Sequence, residues 1–291
     1  MTTSILRWFL KKAARKSMAL GLSAARCASV VATARARPEI RVLTYHRFGP
    51  SLRDPFCVSA PYFAKHIAWL AAKQLAVSLT DVEAYIRGQK VLKRGSVLVT
   101  IDDGFRSVAK LALPILKDHG VPAVAFVTSG NIGRRALEMN LQGETPEEDY
   151  LNWDELNLLL ENGIAIGSHA HTHRSMGRIS QSEAKVEALR SKEILEHHLK
   201  TQITSFAYPF GTRSDFNASI ADTLRQCGYR SAFTSQHGII RPGMDAWVLP
   251  RIKIEGGEGP WMFPLIAGGG LDGWSWIDRH FWHLQASGHG A

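Results

Sequence analysis

The chain has 291 residues, 45% of them hydrophobic and 21% charged, enough to bury a substantial core in one large domain or two small ones. Its three cysteines are scattered and lack CxxC spacing, which argues against a disulfide framework and against a cysteine zinc site. The formal net charge of +9 favours anionic partners, but residues 1–37 carry eight bases and no acid, so the body is close to neutral and no nucleic acid is expected as a partner.

In the N-terminal arm, residues 1–37, the stretch WFLKKAARKSMALGL repeats its bases at i, i+4, and Ile5, Leu6, Trp8, Phe9 and Leu10 supply apolar mass. The pattern resembles an interfacial basic helix in peripheral contact with an anionic membrane, against the plainer reading of a solvated tail. No run of about 18 apolar residues occurs, so no transmembrane helix is expected. Arg26 interrupts the weak apolar stretch from Met18 to Val31 and makes a poor signal peptide. The expected location is the cytoplasm or the cytoplasmic face of the membrane, with export left open.

From residue 40 onward short apolar runs alternate with helical periodicity. IRVLTY (40–45), SVLVTI (96–101), PAVAFVT (122–128), IAIGSH (164–169), ITSFAYP (203–209), RSAFTS (230–235) and WVLPRIKI (247–254) read as buried strands. Helices are expected in YFAKHIAWLAAKQ, FRSVAKLALPILKDHG, WDELNLLLENG, SQSEAKVEALRSKEILEHHLK and FNASIADTLRQCG, several ending in Gly as a C-cap would. Seven strands alternating with helices imply an α/β barrel of parallel strands wrapped by helices, a single domain over residues 38–291. The polar stretch 133–152 is expected to loop over one rim.

Two clusters carry chemistry. IGSHAHTHRSM (166–176) holds three histidines in five positions: on a strand all three would share a side, on a helix only His169 and His173 would. Clustered imidazoles suit a metal, although surface histidines are common. SVLVTIDDGF ends in Asp102 and Asp103 side by side, and adjacent carboxylates repel unless a cation is near, although a turn alone would explain a DDG. Both clusters fall at C-terminal strand ends, where barrels of this kind gather their chemistry.

TIDDG (100–104), SHAHTH (168–173) and YPFG (208–211), in this order, resemble the first three motifs of the polysaccharide deacetylases of carbohydrate esterase family 4, and the resemblance runs from about Leu43 to Arg251. It implies a distorted (β/α)7 barrel and a hydrolase removing N-acyl groups from amino sugars of an N-acetylated glycan, whether polysaccharide, oligosaccharide or lipid-linked. It implies Asp102 as catalytic base and Asp103, His169 and His173 as ligands of one divalent metal ion, a set that suits Zn2+, with His171 at the variable position between the ligands. It also implies the backbone N–H of Phe210 as the donor that meets the oxyanion.

Two departures from the commoner pattern stand out. The third motif reads FAYPFG, with Ala207 where an arginine orients the catalytic Asp, and Arg251 in VLPRIKI is the best substitute. The C-terminal Leu-x-His motif of the general acid is missing, since His280, His283 and His289 do not match it. Relatives that act on bacterial surface poly-N-acetylglucosamine use a histidine after the first strand instead, which makes His46 in LTYHRF the expected acid. The alternatives are a non-catalytic glycan-binding relative, and a metal-dependent amidohydrolase of another family, in which the HxH normally belongs to the first strand.

Overall fold

The computed structural model describes residues 2–28, 39–50, 54–135 and 149–286. Most of the expected rim loop, residues 136–148, lies outside the described residues. In chain order the elements begin with α1 (Thr2–Ala28), β1 (Arg41–Tyr45), the short parallel pair β2 (Arg47–Phe48) and β3 (Cys57–Val58), α2 (Ala60–Lys73), α3 (Leu79–Ile86) and β4 (Val97–Ile101). They continue with α4 (Leu113–Asp118), β5 (Ala123–Val127), α5 (Trp153–Glu161), β6 (Ala165–Ser168), α6 (Gln181–Leu199), β7 (Ser205–Ala207), α7 (Ala218–Gln226), β8 (Ser231–Phe233), β9 (Ile252–Lys253), α8 (Met262–Ala267) and α9 (Trp274–Ala286).

The seven expected strand runs each contribute to one all-parallel sheet, in the order β8-β7-β6-β5-β4-β1-β9. The sheet curls, and Phe233 of β8 bridges Leu249 in the segment leading into β9, which gives the distorted (β/α)7 barrel. β1, β4 and β5 are buried at every position, as parallel strands covered on both faces must be. The last expected strand, 247–254, is reduced to Ile252–Lys253: Pro250 lacks a ladder donor, so Leu249 serves β8 on one side of it and Ile252 serves β1 on the other.

Alternation along the strands sorts the core into two layers. Leu43, Val97, Val99, Ile101, Ala123 and Phe206 join the cluster beneath the outer helices. Val42, Leu98, Val124, Phe126, Ala207, Phe233 and Leu249 form a second cluster, the barrel interior. Leu79, Val82, Tyr85 and Ile86 of α3 join that interior cluster. Gly167 on β6 makes room for this layer, because a Cβ there would stand 2.4 Å from the Phe126 ring. Period two carried onward along the inward rows reaches His46 just past β1, Asp102 just past β4, His169 just past β6 and Arg251 before β9. The barrel axis therefore runs from an apolar floor to a titratable mouth.

α1 lies against the domain with two of its bases turned inward. Lys12 and Arg15 are buried, Lys12 donating to Glu255 at 2.7 Å and Arg15 to Glu258 at 2.5 Å and to the Lys253 carbonyl at 2.7 Å. Ala19 packs closely on Gly270, where an added Cβ would meet the Ala19 backbone at 2.9 Å. The bases at 12 and 15, read from the sequence as part of an interfacial basic helix, are thus held by carboxylates more than 240 residues away in sequence.

Candidate metal centre and catalytic carboxylate

β4 runs straight into the pair Asp102–Asp103, and a change of backbone conformation sends the two side chains apart. Asp102 continues the inward row and is buried, while Asp103 takes a left-handed backbone with φ 72° and turns toward the histidines. His173 is also left-handed, at φ 61°, which brings it back over His169. Such φ values in non-glycine residues are uncommon, and here they aim side chains at one point.

At that point His169 Nε2 and His173 Nε2 each lie 3.4 Å from Asp103 Oδ1, and the three ligand atoms fall within 4.8 Å of one another. His169 Nδ1 sits 2.7 Å from the Ala207 carbonyl, a contact that places the proton on Nδ1 and leaves the Nε2 lone pair for a metal. Burial pushes the Asp103 carboxyl up, but the neighbouring His169 and His173 rings outweigh it and hold it well below the usual carboxylate range. An ionised oxygen and two imidazoles converging from three directions fit a divalent cation, and one carboxylate with two histidines leaves coordination positions open. His171 points elsewhere, its Nδ1 2.9 Å from Ser129 Oγ.

Asp102 is held by Arg251. The guanidinium makes a two-pronged contact, 2.7 Å to each carboxylate oxygen, and is itself fixed by Nε donating to the Thr234 carbonyl at 2.9 Å, with its face over the Phe126 ring at 5.6 Å. Burial raises the Asp102 pKa, yet Arg251 first, then His169, outweigh it and keep the group below its ordinary value, ionised at neutral pH. Arg251, singled out from the sequence, thus stands directly against the Asp102 carboxylate.

His46 packs edge-on against Phe56 at 4.8 Å, and its Nδ1 is buried with no hydrogen-bond partner among the described residues. Burial lowers its pKa to about 4; Asp103 pulls it up while Lys253 pushes it down. Phe210, at φ 62°, sets its ring 4.9 Å from the His173 ring. The loops carrying the second and third motifs are tied together by Ser175 donating to Asp215 at 2.5 Å and by Asp215 accepting from the Thr212 amide at 2.9 Å.

Sequence reading missed two neighbours. Thr100, two positions before Asp102, accepts from Arg251 at 3.3 Å, and Lys253, two positions after Arg251, puts its ammonium 3.7 Å over the Phe56 ring. Both share the inward parity of a residue already singled out, and that parity was the available signal. Burial lowers the Lys253 pKa to about 8, with Glu255 opposing. His280 is exposed on α9, its Nδ1 2.8 Å from the Trp276 carbonyl of its own helix.

Comparison with known proteins places this geometry. Residues 89–232 match the sequence pattern of the family described as polysaccharide deacetylase. The poly-beta-1,6-N-acetyl-D-glucosamine N-deacetylase of Staphylococcus aureus (strain MRSA252) is 24% identical over 210 residues, covering 69% of this chain and 68% of the relative. The structure of IcaB from Ammonifex degensii superposes with a TM-score of 0.65 at 27% identity, over 80% of this chain and 97% of that one. The Streptococcus pyogenes deacetylase PplD has the same fold, with a TM-score of 0.66 at 20% identity, over 79% of this chain and 98% of that one.

Proposed function

We propose that this chain, an enzyme of the polysaccharide deacetylase family, removes N-acetyl groups from the amino sugars of a glycan by metal-assisted hydrolysis. The observation that carries the reading is the adjacency of two differently used carboxylates: Asp103 against His169 and His173, and Asp102 against Arg251.

Asp103, His169 and His173 would hold the ion, and a divalent cation there supplies a Lewis acid that polarises an amide carbonyl and acidifies water. Asp102 is the general base. Arg251 keeps it ionised and fixes both oxygens, so the carboxylate faces the mouth in one orientation and takes the proton as water attacks the carbonyl carbon. The Phe210 backbone N–H is the donor assigned to the developing oxyanion. His46 is the group assigned to the departing amine. With a resting pKa of about 4 its ring is neutral at pH 7, so the proton it passes to the amine nitrogen as the C–N bond breaks would be the one that Asp102 takes from the attacking water.

The test is amine release from a panel of N-acetylated oligosaccharides and polymers, followed with metal analysis of the same preparation. Release that depends on a bound divalent metal supports the reading. Glycan binding without release from any member of the panel would favour a binding role.

A further inference from the structure

α1 is amphipathic in the opposite sense to a surface helix of a soluble domain. At 100° per residue, its inward side carries Lys12, Arg15 and Ala19, flanked by half-buried Trp8, Met18 and Leu22. Its outward side carries Phe9, Leu10, Ala13, Ala14, Ser17, Leu20, Gly21 and Ala24, all exposed and none charged. Phe9, Leu10 and Leu20 are 59%, 60% and 52% exposed. The polarity is inverted because the buried bases are answered by Glu255 and Glu258 on the domain, while nothing in the described residues covers the outward side.

Trp261 extends this surface. It is 49% exposed and lies beside α1, with the Lys16 ammonium 5.8 Å from its ring centroid. Lys16 has no carboxylate partner among the described residues, and Lys11, which reaches Glu255 at 2.6 Å, is still 47% exposed. An uncharged helical face, a tryptophan at its edge and lysines along its borders are the chemistry of the boundary between lipid headgroups and acyl chains.

We infer that the outward face of α1, together with Trp261, is a docking surface for a lipid bilayer, held by apolar insertion rather than by attraction of the bases to anionic headgroups. Charge favours lipid over a second copy of the chain: pairing two such faces would bring the bordering lysines of both copies together, whereas headgroup phosphates complement them. The large side chains are also sparse, Phe9 and Leu10 lying about 15 Å along the axis from Leu20 with small residues between, a shallow face suited to a fluid surface. Glu255 and Glu258 follow β9 at the rim that carries His46, Asp102 and Arg251, so docking through α1 sets the catalytic mouth beside the lipid. The surface stands on its own, whatever the substrate.

Flotation of the full-length protein with phosphatidylcholine vesicles, with and without phosphatidylserine, at low and high salt, tests it. The expected result is co-flotation with neutral vesicles that survives high salt, and a bound fraction about tenfold lower for Phe9→Asp/Leu20→Asp, because two carboxylates would sit at the acyl boundary. That variant should keep the melting temperature and deacetylase turnover of the parent; the milder Leu20→Asn should show a smaller loss in the same direction. Failure to float with neutral vesicles would overturn the inference, as would binding that needs phosphatidylserine and is abolished by salt. A dimer in light scattering that Leu20→Asp converts to monomer would assign the face to a second copy instead.

Discussion

Replacing Arg15 with Met removes the cation at the centre of the α1 contact while keeping apolar bulk. The side chain is fully buried and contacts Glu258 at 2.5 Å, Glu255 at 3.7 Å and the Lys253 carbonyl at 2.7 Å. Breaking a buried pair from one side leaves an uncompensated charge, which costs about 3–5 kcal/mol. At roughly 2–4 °C per kcal/mol for domains of this order of size, the melting temperature at neutral pH should fall by roughly 10 °C. The pH dependence follows from Glu255, which burial would raise but which Arg15, then Lys11, Lys12 and Lys253, hold well below its ordinary value of 4.5. A depressed folded-state pKa gives stability that is present above the unfolded value and lost as pH falls through the folded one. Arg15→Met forfeits part of that stability, so the gap between variant and parent should be widest near neutrality and narrow on acidification below about pH 4.5. Adding Glu258→Gln should recover part of the loss, with a coupling of about 0.5–3 kcal/mol for groups in contact. Thermal melts of the parent, Arg15→Met, Glu258→Gln and the double variant at neutral and acidic pH measure all three effects. A change under about 2 °C at neutral pH, or a gap that widens on acidification, would refute the docked position of α1.

Three further outcomes are expected at the mouth. His169→Ala removes an imidazole whose orientation is fixed by the Ala207 carbonyl, and metal analysis of the purified variant should find the site empty; full occupancy would refute the ligand assignment. Arg251→Met removes the main group opposing burial at Asp102, so the acid limb of the kcat/KM profile should move to higher pH; an unmoved limb in a folded variant would mean that Arg251 does not set the carboxylate. His46→Ala should slow N-deacetylation severely and spare esters with good leaving groups, since an easily expelled alkoxide needs little protonation; equal losses on both would make His46 structural.

The strands were legible because each is a short run of Val, Ile, Leu, Phe or Ala bounded by turn residues, and the barrel followed from their alternation with helices. The Asp103, His169 and His173 cluster was legible from the resemblance of its motifs to a known family, and the left-handed backbone of Asp103 and His173 was not, because a turn sequence does not state where its side chains converge. α3 went unread although Ser78 and Asp81 form a capping box, since eight residues give little periodicity to read. Pro250 marked the break in the last strand, yet the two partners on either side of it depend on barrel closure. The helical periodicity of α1 was plain in its bases, but which face is buried is set by Glu255 and Glu258, far along the chain. Sequence pattern fixes a helix's period and leaves its rotation to tertiary partners.

The division of labour between adjacent carboxylates is the centre of the account, and Asp102→Asn measures it directly. The substitution keeps the size of the side chain, removes the carboxylate proposed as the base and leaves Asp103, His169 and His173 untouched. The purified variant should carry the same metal content as the parent while kcat for amine release from an N-acetylated glycan falls by about 10²-fold or more. Loss of metal together with activity would place Asp102 among the ligands, and unimpaired turnover would remove it from the reaction altogether.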